Sequence, residues 1–413
     1  MERITARYLI ETPLAVEAAA VVLAGEQSCG TFVPVPGETD ELKERFAARI
    51  ESVTHLETVQ EPAIPGQAGP GRYHRAHVEV SWSIENFGYN LPAMVSTLQG
   101  NLYELTQFTG LKLLDLELPA SFGDHFAGPR FGIAGCRQLT GVQNRPLIGT
   151  IIKPSIGLTP TQTAALVQTL ADAGIDFIKD DELLVSSANS SFEARLVAVM
   201  RVIRDHADKT GKQVMYAFNL SDDIDTMLRR YDQVVAAGGT SVMLSLNSVG
   251  LSGVKKICDQ GQLAIHGHRN GWGMLNRHPL LGIEFPAYQK IWRLAGVDQI
   301  HVNGIQNKFW ESDDSVVCSI QACLKPLLGG FSILPVVSSG QWGGQAPETY
   351  RRTQTTDLLY MAGGGILAHP DGPAGGVVAL QQAWEAAVAG LSVTEAARQY
   401  PEFANSVKKF GSK

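Results

Sequence analysis

Cysteine is scarce in this 413-residue chain, and its placement excludes more than its number does. Cys29, Cys136, Cys258, Cys318 and Cys323 are odd in number and form no Cys-x-x-Cys pair. Neither a disulfide framework nor a thiolate zinc site is expected, and a reducing compartment fits. No run approaches the ~18–20 apolar residues that a membrane span needs. The opening Met1-Glu2-Arg3-Ile4 lacks a signal-peptide apolar core. The expectation is a cytoplasmic protein with no membrane partner. There is no Lys/Arg tract either: 34 basic against 41 acidic side chains leave a net charge of −7, which speaks against a nucleic-acid partner. No Gly-x-Gly-x-x-Gly follows an early strand, which disfavours a doubly wound dinucleotide fold.

Apolar residues and glycine are plentiful. Hydrophobic residues make up 44% of the chain and there are 42 glycines, ample for one large domain beside a smaller one. Residues 4–10, 54–60, 74–84 and 111–118 read as strands, and 14–23 and 91–105 carry helical spacing. The order β-α-β-β-α-β predicts a ferredoxin-like α+β domain over residues 1–125. The Gly- and Pro-rich stretch 62–72 reads as the loop between its middle strands.

From about residue 130 the rhythm changes. Short apolar runs recur at 146–153, 176–182, 214–220, 241–247, 263–269, 298–304, 333–340 and 358–365, each followed by a loop and a helix-like segment. Continuous apolar strands suit a parallel sheet buried on both faces. Thr159-Pro160 with Gln162 reads as a helix start and Gly174 as its stop. Eight such repeats predict a (β/α)₈ TIM barrel, the α/β catalytic domain of residues 126–413.

Barrel active sites sit at the C-terminal ends of the strands, and those ends are polar here. Strand one ends in Lys153, strand two in Lys179-Asp180-Asp181-Glu182, and strand five in His266-Gly267-His268-Arg269. Strand six carries His301, with Lys308 in the loop beyond. Strand seven ends in Ser338-Ser339-Gly340 and strand eight in Gly363-Gly364-Gly365. Six polar ends at one rim are hard to explain as packing. Hard carboxylate oxygens suit Mg²⁺, which keeps positions open for substrate or water. Residues two apart share a strand face, so Lys179 and Asp181 point the same way, with Glu182 just beyond. Lys153 suits acid–base work, although a lysine snorkelling at a strand end is the plainer reading. His268 and Arg269 suit an anion or a proton relay, whereas His266 reads better as a structural histidine. The glycines after strands seven and eight permit close backbone approach to a phosphate, or simply a turn.

Two segments carry a resemblance. Gly149-Thr150-Ile151-Ile152-Lys153-Pro154-Ser155-Ile156-Gly157-Leu158 and Gly174-Ile175-Asp176-Phe177-Ile178-Lys179-Asp180-Asp181-Glu182 are similar to the ribulose bisphosphate carboxylase large subunit. The likeness spans nearly the whole chain, including residues 26–32 and Gly100-Asn101. It implies that Lys179 is carbamylated by CO₂ (an N6-carboxylysine) and, with Asp181 and Glu182, holds one Mg²⁺ per subunit. A carbamate makes physical sense there, since an ammonium would repel the cation. The resemblance further implies that Lys153 transfers protons, that His268 is catalytic, and that Lys308 is the mobile-loop lysine over the added carboxylate. It gives Arg269 and His301 to one substrate phosphate, Thr31, Gly363 and Gly364 to the other, and Ser339, beside Gly340, to substrate contact. Glu26 and Asn101 match residues that reach a neighbouring subunit's site, which implies a homodimer with shared active sites.

The departures matter equally. Ser155 stands for a second lysine, Trp272 for a second histidine, Phe32 for a tryptophan and Gln341 for a glycine at a phosphate site. The chain therefore resembles the form IV, RuBisCO-like branch rather than a true carboxylase, with one phosphate pocket refitted. Within that branch, the methionine-salvage enolases acting on 2,3-diketo-5-methylthiopentyl 1-phosphate place a lysine where Asn101 stands, and lack His268-Arg269 and Lys308. A methylthioribulose phosphate isomerase is another member. A third activity decarboxylates, or transcarboxylates and hydrolyses, 3-oxo-isoapionate 4-phosphate, and the retained residues favour it. A non-catalytic scaffold or regulatory dimer is the reading from another class; such a scaffold need not keep Lys153, Lys179, Asp181, Glu182 and Lys308 together.

Overall fold

The computed structural model describes residues 2–30, 35–67, 69 and 71–411. Its first strands are β1 (Arg3–Thr12), β2 (Arg49–Val59), β3 (Tyr73–Ser83) and β4 (Gly110–Glu117). They form an antiparallel sheet in the order β4-β1-β3-β2, and β10 (Leu281–Ile283) joins β4 in parallel at its edge. Alternation sorts the faces of β1: Ile4, Ala6, Tyr8 and Ile10 are all buried. The helices Val16–Glu26 and Leu91–Leu98 bury Leu23, Met94 and Leu98 in turn. The Tyr8 hydroxyl donates to the Leu98 carbonyl at 2.6 Å, holding the second of them in place.

The helix expected over 91–105 stops at Leu98 and resumes as a 3₁₀ turn over Gly100–Glu104. Gly100 opens that turn at φ +32, where a Cβ would meet the Gln27 side chain at 2.5 Å. β2 begins five residues earlier than expected, because its exposed edge carries almost no apolar alternation to read.

The parallel strands β5 (Leu147–Ile151), β6 (Phe177–Lys179), β7 (Met215–Asn219), β8 (Ser241–Ser245), β9 (Ala264–His268), β11 (Gln299–His301), β12 (Leu334–Val337) and β13 (Leu359–Met361) close into a barrel in that order. The fold is thus the α/β barrel with an N-terminal antiparallel α+β domain. Leu147, Phe177, Met215, Met243, Leu334, Val336, Leu359 and Met361 fill its interior with Cys136 and Val142. Helix Pro160–Asp172 starts with a capping box between Thr159 and Gln162, and Gly174 follows its end at φ +84. Two compact units emerge, Met1–Ala127 with Gly271–Ala295 and Leu327–Gly329, and the remainder. Among the described residues no helix is long and apolar enough to cross a membrane.

Candidate active site

The strand ladder ends at Lys179, and the three acids beyond it meet different partners. Asp180 faces the wall, where Arg195 Nε and Nη2 each donate at 3.1 Å, the Tyr216 hydroxyl at 2.6 Å and the Asn219 amide at 3.0 Å. This fully buried carboxylate has no lone pair to spare for a ligand. Asp181 and Glu182 turn the other way. Asn219 Nδ2 ties down both of their carbonyls, at 3.3 and 3.2 Å, and so fixes the strand tip.

Lys153 Nζ lies 2.5 Å from Asp181 Oδ2 and donates to Ser155 Oγ at 2.8 Å. Its side chain is 42% exposed, so it is open to the rim. Lys179 is buried. Its Nζ donates to the Asp180 carbonyl at 2.9 Å and to Glu182 Oε2 at 3.3 Å, and His268 Nε2 lies 3.6 Å from the same oxygen. Burial pulls the Lys179 pKa down, against the raising influence of Glu182 and Asp181. Burial acts the other way on Glu182, yet Lys179 and then His268 hold its carboxyl down to about 2. His268 is lowered to about 4, first by burial and then by Lys179. A carbamate on Lys179 would reverse the second influence and leave the first.

The residues fit a divalent cation only as a set. Among the described residues no three His, Cys, Asp or Glu side chains gather as metal ligands. Asp181 and Glu182 supply two carboxylates, and a carbamate on Lys179 would add the third oxygen donor. A buried amine with a depressed pKa is the nucleophile that carbamylation requires.

Beside this cluster runs a buried hydrogen-bond chain. His266 Nδ1 meets Gln299 Oε1 at 2.8 Å, His266 Nε2 meets His301 Nε2 at 2.9 Å, and His301 Nδ1 meets Ser338 Oγ at 2.9 Å. An amide oxygen only accepts, so His266 carries its proton on Nδ1 and His301 carries its own on Nε2. Ser338 then donates to His301. Both rings are neutral, with pKa values pushed well down by burial first. To donate to a phosphate, His301 must give up one of these partners.

Ser339 donates from Oγ to Asn303 Oδ1 at 2.7 Å and sits at φ 76, in the left-handed region. Its carbonyl accepts from the Lys308 amide at 3.1 Å, which sets the loop lysine beside Gly340. A Cβ on Gly364 would meet nothing within 4 Å and one on Gly363 only Ile151, whereas one on Gly365 would strike the Gln341 carbonyl at 2.4 Å. The first two glycines leave open space; the third is required by packing. Gln341 itself is buried, donating to the Ile305 carbonyl and accepting from the Tyr360 hydroxyl. In the other unit, Glu26 and Asn101 meet, with Asn101 Nδ2 3.5 Å from Glu26 Oε1. Thr31 and Phe32 lie outside the described residues.

Sequence reasoning missed Asn303 and Glu311. Arg269 Nη2 donates to Glu311 Oε2 at 2.8 Å, and Asn303 Nδ2 donates to the same oxygen at 2.5 Å. Asn303 is an isolated polar residue and Glu311 opens the acidic stretch Glu311-Ser312-Asp313-Asp314, so neither signals the pairing.

A parallel barrel with a lysine–carboxylate cluster at its C-terminal rim, preceded by an α+β domain, defines the class of ribulose bisphosphate carboxylases. The large-chain catalytic domain of that family matches residues 132–410, and its N-terminal domain matches residues 3–122. The chain belongs to this family and, within it, to the RuBisCO-like proteins rather than the true carboxylases. It is 52% identical over 402 residues to the 3-oxo-isoapionate-4-phosphate transcarboxylase/hydrolase of Xanthobacter autotrophicus, covering 97% of each chain. It is 50% identical over 410 residues to the 3-oxo-isoapionate-4-phosphate decarboxylase of Rhizobium etli, covering 98% of each. A RuBisCO-like protein from Burkholderia fungorum has a similar structure, with a TM-score of 0.93 and 43% identity over 99% of this chain and 100% of that one.

Proposed function

We propose that the protein is a Mg²⁺-dependent decarboxylase, or transcarboxylase/hydrolase, of a phosphorylated 3-oxo sugar acid such as 3-oxo-isoapionate 4-phosphate. One observation carries this reading: Lys153, Lys179, Asp181, Glu182 and His268 converge in one cluster, in a chain about half identical to relatives named for those activities. Lys179 as a carbamate, with Asp181 and Glu182, would hold one Mg²⁺. When bound, the cation supplies a Lewis acid that stabilises negative charge on substrate oxygens.

The chain's own groups account for the rest. Breaking the bond to the carboxylate releases CO₂ and leaves its electron pair on the adjacent carbon, delocalised onto the 3-oxo oxygen. A proton must then reach that carbon. Lys153 is the donor, as the ammonium at the open end of the cluster, and Asp181 orients it. His268, with Nε2 3.6 Å from Glu182 Oε2, serves as a hydrogen-bonding partner at the cluster. Lys308 is proposed to hold the departing or migrating carboxyl group. Arg269, His301, Ser339, Gly340, Gly363, Gly364 and Thr31 are proposed to hold the phosphate and the substrate backbone. Glu26 and Asn101 are proposed to complete a partner's site in a cytoplasmic homodimer, with the catalytic domain starting near residue 126.

The test is incubation of purified protein with 3-oxo-isoapionate 4-phosphate, Mg²⁺ and bicarbonate. Release of CO₂ with a tetrulose phosphate is the decarboxylase outcome, and phosphoglycerate with glycolate the transcarboxylase/hydrolase outcome. Unchanged substrate refutes the reading.

A further inference from the structure

Arg269, the proposed phosphate ligand, already holds an anion. The Glu311 side chain is only 1% exposed, and its Oε2 takes Arg269 Nη2 at 2.8 Å. The same carboxylate serves the segment that carries Lys308. Asn303 Nδ2 donates to Oε2 at 2.5 Å, and Ser315 Oγ donates to Oε1 at 2.9 Å. Asn307 Nδ2 donates to the Glu311 backbone carbonyl at 3.0 Å. Residues 303–311 are thus closed on themselves at Glu311. They are also fastened to the end of β12, through Ser339 Oγ on Asn303 and the Lys308 amide on the Ser339 carbonyl. Asn303 and Ser339 both sit at positive φ, 63° and 76°. Such a conformation in residues other than glycine persists only where the surroundings over-determine it. Lys308 itself is exposed, its Nζ 5.2 Å from the Phe309 ring centroid. Its placement therefore depends on the backbone beneath it.

A guanidinium has five donors in a rigid fork, so fixing one nitrogen on a buried carboxylate aims the others. A charge-assisted contact of this kind stays strong away from water. We infer that Glu311 is a positioning residue: one carboxylate holds the Arg269 fork and the base of the Lys308 segment in fixed relation, coupling phosphate binding to the placement of that lysine. The inference rests on the roles proposed above for Arg269 and Lys308.

A double-mutant cycle and an exchange measurement test it on the full-length protein. Glu311→Ala should lower kcat about 10²-fold, the scale of a misplaced catalytic group. Glu311→Gln, which keeps the shape and one acceptor oxygen, should lower it less and safeguards against a folding defect. In a Lys308→Ala background, Glu311→Ala should change kcat by no more than about twofold, because the two act through one step. An equal penalty in both backgrounds overturns the inference. Independently of turnover, inorganic phosphate should slow amide hydrogen exchange across residues 303–311 in the wild type and leave it unchanged in Glu311→Ala. The same response in both proteins, or none in the wild type, also overturns it. A protein that passes the phosphate test but leaves 3-oxo-isoapionate 4-phosphate untouched refutes the proposed function and not this coupling.

Discussion

Asp180, Asp181 and Glu182 are chemically close, and their different partners divide their tasks. Asp180 is locked to Arg195 inside the wall, while its neighbours face Lys179 and Lys153. Asp180→Ala should cost about 3–5 kcal/mol of stability, because it strands a buried guanidinium. Asp181→Asn should leave urea denaturation within about 1 kcal/mol of wild type, since the amide keeps the buried shape and an acceptor oxygen for the Leu183 amide and the partner Lys153 is open to solvent, while abolishing turnover. Equal stability losses in the two variants would contradict this division. Lys153→Met should keep the fold and lower kcat by about 10²–10⁴-fold, the usual worth of a positioned proton donor.

At the scale of elements, the barrel was legible because each strand is a continuous apolar run punctuated by a polar tip. All eight expected runs contain an observed strand. The runs overshoot, however. Residues 176–182 were expected and only Phe177–Lys179 pair, since the ladder ends where the charged side chains begin. β10 was not legible: three residues, the middle one a glycine at φ +102, carry no periodicity. The lysine–carboxylate cluster was readable because its members are packed into one short run, Lys179 to Glu182. Glu311 was not, because a contact across 42 positions leaves no local pattern. The glycine turn after β13 offers a test at this scale. Gly365→Ala should destabilise by about 1–3 kcal/mol through collision with the Gln341 backbone. Gly364→Ala, facing open space, should raise KM about tenfold with stability kept, the scale of one charge-assisted hydrogen bond. Both effects are read from denaturation curves and steady-state kinetics on the two variants.

For the molecule as a whole, the buried neutral histidines predict a pH dependence of stability. His266 and His301 have folded pKa values well below the unfolded value near 6.5. Below pH 6.5 the unfolded chain binds protons that the native chain refuses. Stability is therefore full above pH 6.5 and falls as pH drops, by up to about 1.4 kcal/mol per pH unit for each ring. Asp298 opposes this. Burial, against four backbone donors, raises its carboxyl to about 6, so it favours the fold as pH falls from 6 towards 4. Two rings outweigh one carboxyl, and the urea midpoint should decline from pH 6.5 to 5. A flat or rising midpoint would show that the rings are charged in the native state. The proposed shared site is open to subunit mixing. Lys179→Ala and Asn101→Asp proteins, each inactive, should regain up to about a quarter of wild-type activity after mixed refolding, since half the dimers are then hybrids with one intact site. No recovery would place Asn101 outside the partner's chemistry.

The central claim, that this chain breaks the bond between a 3-oxo carbon skeleton and its carboxylate, is tested most directly by following that carbon. With 3-oxo-isoapionate 4-phosphate ¹³C-labelled in the carboxylate, Mg²⁺ and wild-type protein, the label should move into CO₂ and bicarbonate or into phosphoglycerate. Lys179→Ala should leave it in place. A label that stays in the substrate with the wild-type protein, or leaves equally fast with Lys179→Ala, would contradict the account.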